Sequence, residues 1–372
     1  MLIKISGEVR LLDTVTTPRP PQTDGHQQKD ASRDAMKEAR FYEVREEQKV
    51  QCHLCAHECK IDPGKRGLCH VRENLEGKLY SLVYGRVVAE NLDPIEKKPL
   101  FHFLPGSRSY SIATVGCNFM CLHCQNYDIS QYPRSHGGKI IGEPRTPEQI
   151  VAFAQDSRAA SISYTYVEPT IFMEFAQDIG RLAHERGIKN VFVSNGYMTP
   201  ASADALAAFV DADNVDLKSF SDDFYRKVCK ARLQPVLDTI VRLKEKGVWL
   251  EVTTLVIPGL NDSDQELTQV ARFIKGVDPG IPWHVSAFYP THQMLDRPRT
   301  PASTLMRARQ IGLAEGLRYV YTGNIPGQGG EDTVCYQCGE TLIARVGYQI
   351  RGFILKDGAC PQCGAGIDGV WR

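Results

Sequence analysis

Eleven of the twelve cysteines in this 372-residue chain fall into three groups. Cys52, Cys55, Cys59 and Cys69 form the first, Cys117, Cys121 and Cys124 the second, and Cys335, Cys338, Cys360 and Cys363 the third; Cys229 stands alone between the last two. A disulfide scaffold spreads its cysteines through a small, loop-rich chain, so clusters of this kind in a longer one read as metal sites. The second group, within GCNFMCLHCQN, poses the sharpest question. It offers three thiols and no fourth Cys or His at ligand spacing, and His123 lies too close to Cys121 and Cys124 to form the missing corner. A structural zinc site closes a tetrahedron with four ligands. A cubane [4Fe–4S] cluster has four irons, each wanting a terminal ligand, so three thiolates leave one iron open to a substrate or cofactor. The rival reading is a distorted zinc knuckle that borrows a distant ligand.

The elements that must position this triad are written in the periodicity from Tyr110 onward. Short apolar runs, YSIATVG (110–116), SISYTY (161–166), NVFVSN (190–195), NVDLK (214–218), VWLEVTTLVI (248–257), WHVSAFY (283–289) and RYVYTG (318–323), read as strands. Amphipathic stretches lie between them, several opening with Thr, Ser or Asp near a Pro and closing at Gly. Strand alternating with helix some six times means right-handed βαβ units and a parallel sheet, in either a partial barrel or an open doubly wound arrangement. Both place chemistry at the carboxyl ends of strands, and the triad directly follows the first.

Other polar residues fall at the same strand ends. Glu168 in YTYVEPT reads as a helix cap, with Pro169 at the helix start. Ser194 and Asn195 have short side chains suited to a carboxylate or a ribose hydroxyl, and Gly196 allows close backbone approach. Asp216 and Lys218, two apart on a strand, point to one face and form a natural ion pair. Asn261 and Asp262 are expected to cap the following helix. His292 sits at the right end of the sheet for substrate contact or proton transfer.

The outer cysteine groups are complete quartets. Cys335, Cys338, Cys360 and Cys363 pair two C-x-x-C knuckles into a closed zinc ribbon, whose metal replaces a core too small to hold itself. Cys52, Cys55, Cys59 and Cys69 suit zinc or a second iron–sulfur cluster, and ligand type alone does not separate them. The expected organisation is a flexible extension over 1–48 ending in a short helix (AMKEARFYEVREE), a four-Cys module over 49–108, the βα domain over 109–325 and the ribbon over 326–372.

Together CHLCAHECKI, GLCHVREN, YGRVVAENLDPIEKKPLFHFLPG, GCNFMCLHCQNYDISQ, YTYVEPTIF, NVDLKSF and VIPGLND resemble the AmmeMemoRadiSam system radical S-adenosylmethionine (SAM) enzymes, relatives of the pyruvate formate-lyase activating enzymes. The resemblance spans about residues 50 to 325. It implies a partial (βα)6-type barrel and a [4Fe–4S] cluster on Cys117, Cys121 and Cys124, whose open iron chelates SAM. Reductive cleavage of SAM would give a 5′-deoxyadenosyl radical that abstracts hydrogen from a substrate, by analogy with the activases a protein glycine. It further implies that Tyr166, Val167 and Glu168 stand where the superfamily carries a Gly-Gly-Glu-Pro-like segment against the methionine amino group, although the glycines are absent here. Ser194, Asn195, Asp216, Lys218 and His292 would line the same cofactor, with Lys218 neutralising its carboxylate and the apolar VIPG segment against adenine. An electron donor such as flavodoxin or ferredoxin, and AMMECR1-like and Memo-like proteins, are the implied partners.

Composition narrows the alternatives. Lys+Arg and Asp+Glu balance at 44 each, giving no electrostatic footprint for nucleic acid or a membrane surface. No apolar run reaches the roughly 18 residues that span a bilayer, and the N-terminus lacks a secretory apolar core, so a cytoplasmic location is expected. The competing function is a zinc-binding scaffold with an inert βα domain.

Overall fold

The computed structural model describes residues 36–325 and 327–371. Of the extension expected over 1–48, residues 1–35 lie outside them. At the centre is one eight-stranded sheet: β1 (Ala89–Pro94), β2 (Arg108–Ala113), β3 (Ser161–Tyr164), β4 (Lys189–Ser194), β5 (Ala212–Asp216), β6 (Trp249–Val256), β7 (Trp283–Ala287) and β8 (Val320–Gly323). From β2 to β8 every neighbouring pair is parallel. The strands lie side by side in chain order. A doubly wound sheet reverses its order at a switch point, whereas here each crossover adds a strand on the same side, the path of a barrel left open. All seven expected strands are present. The antiparallel edge strand β1 was not foreseen, because AENLDP has the polar pattern of a half-exposed edge; the sheet therefore begins inside the span 49–108.

The crossovers carry α1 (Pro147–Asp156), α2 (Met173–Glu185), α3 (Pro200–Ala207), α4 (Gln234–Glu245), α5 (Asp264–Val277) and α6 (Ala302–Ala314). Their starts follow local chemistry. Thr146 and Thr199 each form a capping box, with Gln149 and Ser202, and each is followed by Pro at the first helical turn. The cap of α5 is Ser263, which accepts from the Glu266 N–H, and neither Asn261 nor Asp262 takes that place. The helix expected in AMKEARFYEVREE does not form. Lys37–Glu38 and Tyr42–Val44 are strands instead, paired with Lys78–Ser81 and Val50–Cys52, so long-range sheet pairing overrides local helix propensity. Among the described residues no helix is long and apolar enough to cross a membrane.

The end of the barrel where the strands begin is closed by a buried polar knot. Glu251 on β6 accepts from the N–H groups of Phe101 (3.0 Å) and His102 (2.8 Å) and pairs with His284 Nε2 (2.6 Å). His102 Nδ1 donates to the Asp368 carbonyl (2.6 Å), leaving Nε2 to accept from the Tyr321 hydroxyl (2.5 Å). Arg345, on the small antiparallel sheet of the C-terminal module, donates to the Phe101 carbonyl (2.8 Å) and lies over the Phe101 ring. The C-terminal cysteine module is thereby fastened to the end opposite the triad.

Burial pushes His102 down to about 4 from an ordinary 6.5. Its folded value lies below its unfolded one, so the unfolded chain binds the extra proton between those limits. Stability is lost as pH falls from about 6.5 to about 4, at most by about 3 kcal/mol from this group. His102→Gln should show a shallower fall of Tm across that window than the parent chain; parallel curves would refute the assignment.

Candidate active site and cysteine centres

β2 ends at Ala113, and the triad loop follows at the carboxyl edge of the sheet. Three loop carbonyls are held from three directions: Asn118 O by His57 Nε2 (2.8 Å), Phe119 O by Gln131 Nε2 (3.1 Å) and Leu122 O by the Gln293 N–H (3.0 Å). Met120 and Leu122 donate in turn to the carbonyls of Cys229 (3.1 Å) and Val228 (3.0 Å). Cys229 closes a π-helical turn, Tyr225–Cys229, followed by left-handed Lys230, and its thiol stands beside that of Cys121. Cys229 is the residue that spacing could not reveal, since it lies more than a hundred positions from its neighbour. A π-turn at this point is typical of functional sites.

Burial disfavours the charged form of all three triad thiols. Cys117 and Cys124 are pushed up mainly by burial, and Cys121 by the neighbouring Cys229 thiol and then by burial. Buried thiols of this kind become thiolates when a metal charge offsets the cost. The residues present therefore fit an iron–sulfur cluster, with thiol donors and no buried carboxylate among the ligands. His123 is buried with Nδ1 unpartnered and is pushed down to about 3 by burial and then by the charge of Lys218, which keeps the imidazole neutral beside the loop.

The other expected site residues gather at the same rim, several with partners already. Asp216 and Lys218 form an ion pair of 3.0 Å. Burial opposes the Lys218 charge, but Asp216 and the thiols of Cys121 and Cys229 outweigh it and hold the ammonium. Asn261 donates to the Lys218 carbonyl (2.7 Å) and accepts from the Ile257 N–H (2.6 Å), so it braces Lys218. Glu168 caps the turn Pro169–Phe172 through the Thr170 N–H (3.1 Å), and its other oxygen accepts from the Asn195 N–H (2.6 Å). Burial lifts this carboxyl to about 7 against those hydrogen bonds. Asn195 Nδ2 also donates to Asn118 Oδ1 (2.7 Å), and Ser194 Oγ donates to Asp213 (2.9 Å). Tyr166 is left-handed (φ 66°); its hydroxyl donates to Asp93 (2.6 Å) and its carbonyl accepts from Asn126 (2.8 Å), which sets the backbone course into buried Val167. The His292 ring stacks on Tyr127, with centroids 4.5 Å apart, just beyond the triad.

The two outer quartets sit differently. The C-terminal thiols converge: Cys335 and Cys363 sulfurs are 3.7 Å apart, Cys338 and Cys360 3.6 Å, and all four lie within 4.8 Å of one another. The N-terminal quartet lies at the triad end, where Ala56 donates to the Tyr197 carbonyl (3.2 Å) and Thr199 to that of His53 (2.7 Å).

A partial βα barrel carries a three-cysteine loop at its carboxyl rim, and comparison with known proteins says to which class of enzyme that arrangement belongs. Residues 111–273 match the radical SAM superfamily. The uncharacterised protein MJ0808 of Methanocaldococcus jannaschii is 45% identical over 336 residues, covering 90% of this chain and 99% of that protein. The pyruvate formate-lyase 1-activating enzyme of Escherichia coli K12 is 24% identical over 164 residues, 43% of this chain and 65% of the relative. Streptococcus suis SuiB bound to the precursor peptide SuiA aligns with a TM-score of 0.47 at 13% identity, over 63% of this chain and 52% of that one. The chain belongs to the radical SAM superfamily and is related to the pyruvate formate-lyase activating enzymes. It is a radical SAM enzyme, and the inert-scaffold alternative falls.

Gly116 immediately precedes Cys117 with φ +96°, and a Cβ there would stand 2.5 Å from Val71 Cγ1 and 3.0 Å from the Cys69 carbonyl oxygen. Gly116→Ala should cost about 2–4 kcal/mol from backbone strain and the clash together. A lowered Tm and reduced iron retention are expected, and an unchanged Tm would refute the contact.

Proposed function

We propose that Cys117, Cys121 and Cys124 are the ligands of the SAM-cleaving [4Fe–4S] cluster, and that the enzyme belongs to the AmmeMemoRadiSam branch. The observation that carries this reading is the position of three thiols, one buried and two half-buried, on a braced loop at the carboxyl end of the first parallel strand, with a held cation, Lys218, beside Cys121. When bound, the cluster supplies the electron that cleaves SAM to methionine and a 5′-deoxyadenosyl radical.

The protein's own part is to bind, orient and exclude water. Lys218, braced by Asn261 and oriented by Asp216, neutralises the methionine carboxylate. Tyr166, Val167 and Glu168 present backbone to the amino group. Because Glu168, Ser194 and Asn195 spend their side chains on Thr170, Asp213 and Asn118, they shape this rim as a rigid wall. His292, stacked on Tyr127, faces the mouth, where it contacts substrate or moves a proton. The abstracted hydrogen comes from a protein glycine, as the kinship with activating enzymes suggests. The electron comes from a flavodoxin or ferredoxin in the cytoplasm, and AMMECR1-like and Memo-like proteins are the partners.

For the C-terminal quartet we propose zinc in a ribbon. Tetrahedral Zn–S bonds of about 2.3 Å place sulfurs about 3.8 Å apart, close to the separations found. For the N-terminal quartet, zinc and a second iron–sulfur cluster are the candidates. The four segments 1–48, 49–108, 109–325 and 326–372 then serve as extension, accessory centre, catalytic barrel and zinc module.

Protein reconstituted without air should release 5′-deoxyadenosine from SAM on reduction, and Cys121→Ala should abolish that release; undiminished turnover in the variant would remove the triad from the chemistry. Cys360→Ser with Cys363→Ser should lose zinc by elemental analysis while the SAM-responsive spectroscopic signal of the reduced protein persists. Zinc retained in full would refute the ribbon.

A further inference from the structure

The N-terminal quartet takes no part in the chemistry above, yet its setting is that of a built site. Cys52, Cys55, Cys59 and Cys69 all line one small cavity, walled otherwise by apolar side chains and by His57 and Arg72. Arg72 is 1% exposed; Nη1 lies 3.8 Å from Cys52 Sγ, and Nε is buried with no partner. The guanidinium is held by a fully buried pair with Glu174, a carboxylate on α2. A buried cation that lines the cavity, with one donor near a thiol and another unpartnered, suits a centre that carries negative charge on sulfur.

The chain supplies its own gauge for what that centre is. In the C-terminal quartet the sulfurs close to within 4.8 Å of one another, the compass of a single tetrahedral ion. Among the described residues that is the one group whose ligand atoms close in this way, whereas the N-terminal thiols stand around a space. The N-terminal centre is also packed against the triad loop: His57, which lines the cavity, donates to the Asn118 carbonyl, and the Cys69 carbonyl lies against Gly116.

We propose that Cys52, Cys55, Cys59 and Cys69 hold a second iron–sulfur cluster of the four-iron class, fully ligated by protein, with Arg72 as its hydrogen-bonding countercharge. With every iron ligated it has no open position for SAM, the property that separates it from the triad. The proposal stands on the quartet alone and does not depend on the role given to the triad.

The test uses the full-length triple variant Cys117→Ala, Cys121→Ala, Cys124→Ala, reconstituted anaerobically with iron and sulfide. About four irons and four sulfides per chain should remain, giving on reduction a paramagnetic signal indifferent to added SAM, and adding Cys55→Ala should remove them. The parent chain offers a second measurement should the variant fail to fold, with about eight irons and one zinc expected per chain. A triple variant free of iron, or a parent chain whose iron content Cys55→Ala leaves unchanged, would overturn the proposal. Neither result depends on what the triad holds, because the first lacks the triad and the second varies only the quartet.

Discussion

A side chain is forbidden at Gly116, and much of the active end depends on that prohibition. There β2 gives way to the triad loop, and there the N-terminal module reaches the barrel, with the Cys69 carbonyl and Val71 occupying the space a Cβ would need. The positive φ turns the chain so that Cys117 begins a loop rather than prolonging a strand. Two cysteine groups are thus set against each other at Gly116 and through the bond from His57 to the Asn118 carbonyl. The loop they share gains its rigidity from carbonyls held by His57, Gln131 and the Gln293 N–H, each from a different part of the chain.

The barrel separates its two ends by chemistry. At the end where strands start, Glu251, His102, His284 and Tyr321 form a chain of hydrogen bonds that reaches the Asp368 carbonyl and clamps the C-terminal module in place. At the end where strands finish, polar groups are arranged around thiols, and one buried imidazole nitrogen, on His123, keeps no partner. A barrel sheet makes this division natural, because the crossover helices cover its outer face and strand side chains fill the inner one, leaving the ends for polar chemistry. A satisfied polar knot stabilises one end, while the other tolerates strain and exposed donors because binding there supplies the compensation.

Three groups of the same residue type reach three different arrangements because their backbones differ. In the C-terminal module two knuckles face each other across an antiparallel sheet, and the turns aim both pairs of sulfurs at one point. The triad lies on a single loop whose course is imposed from outside. The N-terminal quartet draws on a small antiparallel sheet and the turns after it, which leaves its thiols around a cavity lined by a buried arginine.

Seven parallel strands, six crossover helices and the membership of the C-terminal cysteine quartet were legible in the sequence. Each rests on signals only a few residues long: alternating apolar runs, Thr and Pro at helix starts, and thiols at loop spacing. The edge strand β1 and the strands at Lys37–Glu38 and Tyr42–Val44 were not, because sheet pairing with distant partners decided them. Nor did spacing disclose the approach of Cys229 to Cys121, the brace of Asn261 on Lys218, or the buried bond between Arg72 and Glu174. The sequence by itself determined which residues could ligate metal and in what order the barrel is built, since those depend on local chemistry. Only the tertiary structure decided which distant side chains meet, because such meetings are set by how helices and strands pack and leave no local mark in the chain.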